Sequence, residues 1–344
     1  MIPPVTPAAN SDNEWSPLRS IIVGRAEHSC FPSEPARMIE ATMPEEYVGE
    51  FKPNNPFPPE IVKAATEELD NLARILEAEG IHVYRPKEVN WTQVGGYTGA
   101  MPRDGLMTVG NTVIESVYAW ECRRQEIKLG FTEILDSIAK DPNVTIVRRP
   151  SPAGEQSVYE KVLPDQLWAI DNTRPAFDTA DFLRFGKVLI GQLSHVTNMK
   201  GVEYLRKAVP EGYTVELIDV QDKHAMHIDT TIAPLREGLL LYNPERTSEE
   251  ILRKHDVLKN WEMHPYPGTP KAHAYPPLYM TSAWLTLNFL VLDGHKIVIE
   301  EQDTQLQDLL RSLGMEPILC PMRNVYCLGG SLHCATVDIV RESR

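Results

Sequence analysis

The 344-residue chain carries 34 Lys and Arg against 48 Asp and Glu, a formal charge of −14, so it lacks the cationic surface that holds a phosphate backbone. With 42% hydrophobic and 24% charged residues it is neither disordered nor a disulfide scaffold, and its length allows several domains or one large closed α/β unit. The five cysteines (Cys30, Cys122, Cys320, Cys327, Cys334) are odd in number and form no CxxC pair, which points to a reducing compartment. Residues 1–15 hold neither a positive cluster nor an apolar stretch of signal-peptide length, and no run approaches the ~20 residues that span a bilayer. A cytoplasmic protein without nucleic-acid or membrane partners is expected, with residues 1–12 as a flexible arm.

The first strand signal is RSIIVGR, followed by an irregular, proline-rich stretch over roughly 26–58. Pro58 and Pro59 then lead into Ile61, Ala65, Leu69, Leu72 and Leu76, an apolar stripe of helical spacing that ends at Gly80 and runs into a short strand. The same helix-end, turn and strand phrase recurs in SIAKDPNVTIVRRP, LRKAVPEGYTVELID, LRKHDVLKNWEMHPYP and LLRSLGMEPILCP. Between these lie apolar pairs broken by a tight turn, LMTVGNTVIES, DFLRFGKVLIGQ, TTIAPLREGLLLYNP and LNFLVLDGHKIVIEE, each of which reads as a β-hairpin. A fifth pair forms only if RSIIVGR joins the C-terminal HCATVDIVR, closing a ring between the chain ends. The pattern predicts five helix–strand–hairpin units in pseudo-fivefold array. A doubly wound α/β sheet is the alternative. Two further irregular stretches, 88–103 and 263–280, interrupt the pattern, and no linker divides the chain.

Neither a phosphate loop nor a dinucleotide fingerprint is present, so no cofactor is expected. Reactive residue types instead fall one group per unit, near the hairpins: Asp104 in MPRDG, Asp178 and Asp181 in FDTADF, His227 and Asp229 in MHIDTT, Arg246 in NPER, and Cys334 in GGSLHC. Taken singly, such a cysteine is more often a small buried hydrophobe, the aspartates are turn residues and the arginine a solvated one. Gly329 and Gly330 could let the backbone bend so that Cys334 faces a cleft, where an imidazole or a cationic substrate would have to activate its thiol. His224, His227, Cys327, His333 and Cys334 include metal-ligand types, but H-x-x-H with C-x6-C matches no standard zinc spacing, and no metal is expected.

The blocks MPRDGLMTVGNTVIE, FDTADFLRFGKVLIGQLSHVTN, MHIDTTIAPLREGLLLYNPER and RNVYCLGGSLHCATVDIVR together resemble the amidinotransferase family in order and spacing, over most of the chain. The resemblance implies one catalytic domain over 1–344, a five-bladed α/β propeller, and transfer of the amidino group of L-arginine to a primary amine with release of L-ornithine. It further implies Cys334 as nucleophile, His227 as general acid and base, Asp178 as its partner, and Asp104 and Asp229 as guanidinium-binding carboxylates. Arg246 with Ser282 would hold the donor's α-carboxylate, and Asp181, Met226 and His224 complete the implied substrate contacts. Glycine-using members usually read Asn-Pro just before MHID, where this chain has His224 and Ala225. Glycine still leads as the acceptor the resemblance implies, but that departure leaves lysine, an amino sugar or another amine open. The partners expected are small molecules only, the chain acting alone or as a homodimer. A deiminase-type hydrolase of the same fold is the first rival, and an arginine-binding protein without turnover the second.

Overall fold

The computed structural model describes all residues except 1–6, 34–38, 40–42, 44, 46–51, 53, 151–155, 162–166, 221, 225, 267–275, 281–282 and 343–344. Its strands form five separate three-stranded sheets rather than one wound sheet. Four are built from consecutive chain. Strands β3 (Leu106–Val109) and β4 (Thr112–Glu115) pair antiparallel, helix α2 (Thr132–Ile138) crosses, and β5 (Thr145–Val147) returns parallel to β4. The same order repeats in β6 (Phe182–Phe185), β7 (Val188–Gly191), α3 (Met199–Ala208) and β8 (Thr214–Leu217). It repeats again in β9 (Ile232–Arg236), β10 (Leu239–Tyr242), α4 (Glu249–Leu252) and β11 (Glu262–Pro265), and in β12 (Leu290–Val291), β13 (Lys296–Glu300), α5 (Thr304–Ser312) and β14 (Glu316–Cys320).

The remaining sheet joins the chain ends. Strand β1 (Leu18–Val23) lies antiparallel to β15 (Thr336–Arg341), from Leu18 opposite Arg341 to Val23 opposite Thr336, and parallel to β2 (His82–Tyr84) beyond α1 (Pro59–Ala78). The expected pairing of RSIIVGR with HCATVDIVR is thus present. Tight turns make the short hairpins: Gly186, between β6 and β7, adopts φ 69°, which a side chain would oppose. Helix α1 buries Ile61, Ala65, Leu69, Leu72 and Leu76, the anticipated stripe, together with Glu68. That carboxylate caps the short helix Arg323–Tyr326 by accepting from the backbone of Asn324 and Val325, each at 2.9 Å.

Three details depart from the sequence reading. The arm is pinned from Asn10 onward, because Asn10 N–H donates to Ile339 and Ser11 N–H to Gly110, extending the neighbouring backbone ladders. Helix α4 spans only four residues. A fourth irregular stretch, 148–177, holds no helix or strand among its described residues. No helix among the described residues is long and apolar enough to cross a membrane.

A buried ion network ties the sheets together. Arg184 of β6 binds Glu14 through Nε at 2.7 Å and Nη2 at 2.6 Å, and its Nη2 also lies 2.6 Å from Asp338 of β15. Asp338 in turn accepts from Arg103 at 2.9 Å and Arg341 at 2.8 Å. Charges so deeply buried persist only when paired on all sides, which makes the network a determinant of which sheets meet.

Candidate active site

Each unit delivers its polar residues from the turn just before the first strand of its hairpin. The turn Pro102–Asp104 precedes β3, Thr179–Asp181 precedes β6, Ile228–Thr230 precedes β9, Ala283–Leu287 precedes β12, and the Cys334 segment precedes β15. Neighbouring turns touch in sequence, and the Cys334 carbonyl accepts the Arg103 N–H at 3.2 Å while the Asn288 carbonyl accepts the His333 N–H at 3.2 Å. Side chains some 50 to 230 residues apart are thereby brought to one place.

Cys334 is 2% exposed, in a turn that only glycine permits. A Cβ on Gly330 would stand 2.5 Å from the Cys334 Cβ, and Gly329 adopts φ 99°. Asn288 brackets the turn: its Oδ1 accepts the N–H groups of Ser331 and Cys334 at 3.1 and 3.0 Å, and its Nδ2 donates to the Cys334 sulfur at 3.2 Å. The thiol donates to Asp229 Oδ2 at 3.3 Å. Burial, and then the Asp229 charge, push the thiol up to about 12, against the opposing hydrogen bond from His227. The sulfur is therefore held as the thiol by its surroundings.

His227 takes φ 66°, a conformation worth roughly 1–3 kcal/mol of strain, held because its N–H donates to Asp181 Oδ1 at 3.1 Å and its carbonyl accepts the Thr230 hydroxyl at 3.1 Å. Its Nε2 lies 3.1 Å from Asp178 Oδ2 and its Nδ1 3.6 Å from Asp104 Oδ1. Burial works against a charged ring, but Asp104, Asp178 and the Cys334 hydrogen bond outweigh it and hold the imidazolium well above the ordinary histidine range. The resting pair is thus imidazolium and thiol, its positive charge balanced by carboxylates rather than by sulfur.

Among the described residues, two carboxylate oxygens in the site are buried without a hydrogen-bond partner, Asp104 Oδ1 and Asp229 Oδ1. Such groups are costly unless a ligand satisfies them. The second oxygen of each is held. Arg123 Nη1 donates to Asp104 Oδ2 at 2.7 Å and lies 3.7 Å from Asp178, while its guanidinium stacks 4.5 Å from the Tyr118 ring centre and binds Glu126. His333 Nδ1 and the Cys334 thiol hold Asp229 Oδ2, the imidazole at 2.8 Å. Burial raises Asp229 toward neutrality, yet its bonds to His333 and its neighbours His227 and Cys334 leave it below the usual carboxylate range. A narrow cleft between Tyr97, Trp120 and Met226 reaches Asp104, Asp178 and His227.

No family model matches the chain. It is 37% identical over 351 residues to the L-arginine:L-lysine amidinotransferase of Pseudomonas savastanoi pv. phaseolicola, covering 97% of this chain and 94% of that protein. It is 34% identical to the mitochondrial glycine amidinotransferase of Gallus gallus, covering 96% and 82%. Among solved structures, SxtG, an amidinotransferase of Microseira wollei in the saxitoxin pathway, aligns with TM-score 0.87 at 31% identity over 98% of both chains. The chain belongs to the amidinotransferase family.

The other implied contacts of this amidinotransferase fall as follows. Asp181 spends both oxygens on the protein, Oδ1 on the His227 N–H and Oδ2 on Ser194 at 2.6 Å and on Thr197, so here it anchors the histidine's backbone. Burial raises its carboxyl to about 6, against His227 and those hydroxyls. Arg246 is buried, bonded through Nε to Asp222 at 2.8 Å and through Nη1 to Thr230. His224 is exposed, its N–H on Asp222, and Met226 is half-buried at the cleft wall. Ser282 lies outside the described residues. One atom each of Asp104, His227 and Cys334 lies within 4.8 Å of the others.

Sequence reading missed Asn288, Arg123, Glu126, Asp222 and Thr230, and weighed His333 only as a metal ligand. Arg123 and Glu126 stand in ECRRQE, which reads as an ordinary charged surface run, and Asn288 is a lone amide before a hairpin. Only their position against the motif residues distinguishes them.

Proposed function

We propose that the enzyme transfers the amidino group of L-arginine to a primary amine through a covalent amidino-cysteine at Cys334. The observation that carries this reading is the pair of buried carboxylate oxygens without a hydrogen bond among the described residues, Asp104 Oδ1 and Asp229 Oδ1, beside a thiol and an imidazolium that is ion-paired to the first. A guanidinium is planar, cationic and a weak electrophile, and two carboxylates bind it by charge-assisted bonds without removing its charge. Arg246, steadied by Asp222 and Thr230, would take the donor's α-carboxylate, for which the family resemblance adds Ser282.

The resting protonation states set the order of events. Arrival of a cation between Asp104 and Asp229 neutralises the negative charge that adds to burial in keeping the thiol protonated, so donor binding itself lowers the sulfur's pKa. The sulfur bonds to the guanidinium carbon, the bond from that carbon to the departing nitrogen breaks, and His227 supplies a proton to the leaving amine. Ornithine takes two protons in all, one from the imidazolium and one from the thiol, leaving a thiouronium cation on sulfur and a neutral imidazole. Asp178 holds that ring in place in both states. In the second half the neutral His227 accepts a proton from the incoming ammonium group and the amine attacks the same carbon. The sulfur then leaves, and thiol and imidazolium are restored. This is ping-pong chemistry.

The same reading takes the five sheets as blades of one pseudo-fivefold α/β propeller forming a single catalytic domain over 1–344. A cytoplasmic setting fits the five free cysteines. The acceptor is a primary amine. Glycine and lysine are the first to test, since relatives are named for each and His224 and Ala225 replace the Asn-Pro of glycine-using members. Incubation with arginine and an amine panel decides between transfer and hydrolysis. Ornithine formed only when an amine is present is the expected result, and citrulline or ammonia released from arginine alone would overturn it.

A further inference from the structure

His333 precedes the nucleophile in sequence, and its ring lies behind Asp229, on the carboxylate oxygen that the Cys334 thiol also holds. Its Nδ1 lies 2.8 Å from Asp229 Oδ2 and its Nε2 3.4 Å from Glu14 Oε2. Its backbone is fixed at both ends, the N–H on Asn288 and the carbonyl accepting Arg103 Nε at 3.2 Å. Glu14 is immobile in turn, gripped by Arg184 through two bonds of 2.7 and 2.6 Å that continue to Asp338 in the core. A chain of polar contacts therefore runs from the buried ion network, through one imidazole, to a carboxylate whose other oxygen has no hydrogen bond among the described residues.

We infer that His333 is a positioning residue: clamped between Glu14 and Asp229, it turns one Asp229 oxygen toward the donor and sets the acid limit of donor binding. This rests on the reading of Asp229 as a guanidinium-binding carboxylate. A hydrogen bond donated by the His333 ring to Asp229, with any charge on that ring, favours the ionised carboxylate. The charged and titratable groups facing Asp229 are His333 and Cys334 from the segment before β15, His227 from its own turn, and Arg246 after β10. Of these, His333 makes the shortest bond to it, and His227 is already balanced by Asp104 and Asp178.

The sign follows. Donor binding requires the ionised form of Asp229, whose folded value is depressed, so affinity is full above the ordinary carboxylate range and is lost only as pH falls through that depressed value. Without the His333 charge the value rises, and affinity begins to fail at higher pH.

The test measures arginine binding calorimetrically, from neutral to acid pH, in Cys334→Ser protein so that no turnover intervenes. His333→Ala is expected to weaken arginine by about tenfold to a hundredfold near neutrality, the size of one charge-assisted bond, and to raise the acid limit. His333→Asn puts an uncharged amide N–H near the Nδ1 position. It should restore most of the neutral-pH affinity while leaving the acid limit displaced. A wild-type acid limit in both variants overturns the inference, and should His333→Ala fail to fold, an undisplaced limit in His333→Asn overturns it alone. Asp229→Asn is the control: if it leaves arginine affinity unchanged, the reading of Asp229 fails, whereas a weakened Asp229→Asn beside unaffected His333 variants defeats only the role of His333.

Discussion

Asp104 and Asp229 present the same feature, one buried carboxylate oxygen without a hydrogen bond among the described residues, but their other oxygens are held by different chemistry. Asp104 leans on Arg123, whose guanidinium also binds Glu126, reaches toward Asp178 and rests on the Tyr118 ring. Asp229 leans on His333 and on the thiol of the nucleophile itself. A guanidinium has no neutral form in the working pH range, whereas an imidazole is an ionisable group and a thiol gives up its proton once a cation is bound beside it. One half of the site is thus a fixed electrostatic wall and the other a proton-responsive one, with the reacting sulfur on the responsive side.

Replacing the sulfur should cost most, because both halves converge on it. Cys334→Ser is expected to abolish turnover while arginine binding largely survives, read as steady-state rate beside calorimetric affinity. Substantial residual turnover would remove Cys334 from its role. The fixed wall comes next. Arg123→Leu strands Asp104 and Glu126, both buried, and should destabilise the fold by about 3–5 kcal/mol in denaturant titration. A loss below 1 kcal/mol, a rough floor for a buried pair, would mean that the wall is not held by that arginine.

Asp104→Asn and Asp229→Asn should each weaken arginine by about 1.5–3 kcal/mol, the scale of a charged hydrogen bond, but with different pH dependence. The Asp229 variant should lose the acid limb of binding, and the Asp104 variant should keep it. Identical profiles would erase the distinction between the halves. Smallest in scope is Arg246→Ala, which should weaken arginine by about tenfold and leave agmatine, which lacks the carboxylate, nearly unchanged. Equal losses would refute a carboxylate-binding role.

Local signals carried much of this architecture. Alternating apolar pairs around turn glycines located four hairpins, and the α1 stripe fell on the residues that bury. Even the chain-end pairing of β1 with β15 was legible, because each end held a strand lacking a hairpin partner. The holders of the site were not. Arg184 with Glu14, His333 with Asp229 and Arg123 with Asp104 pair across 170, 104 and 19 residues, and nothing local marks an arginine as buried. Asp181 shows the converse: its place in FDTAD suggests a substrate contact, yet its oxygens are consumed by His227, Ser194 and Thr197. Motif position identified which residues gather, and three-dimensional pairing decided which of them keep an oxygen free.

The most direct measurement of the central claim is mass spectrometry of the intact enzyme mixed with arginine and no acceptor, followed by peptide mapping. The account predicts one added amidino group, located on the peptide carrying Cys334 and discharged by a productive amine. Saturating arginine binding with Cys334 persistently unmodified would contradict it.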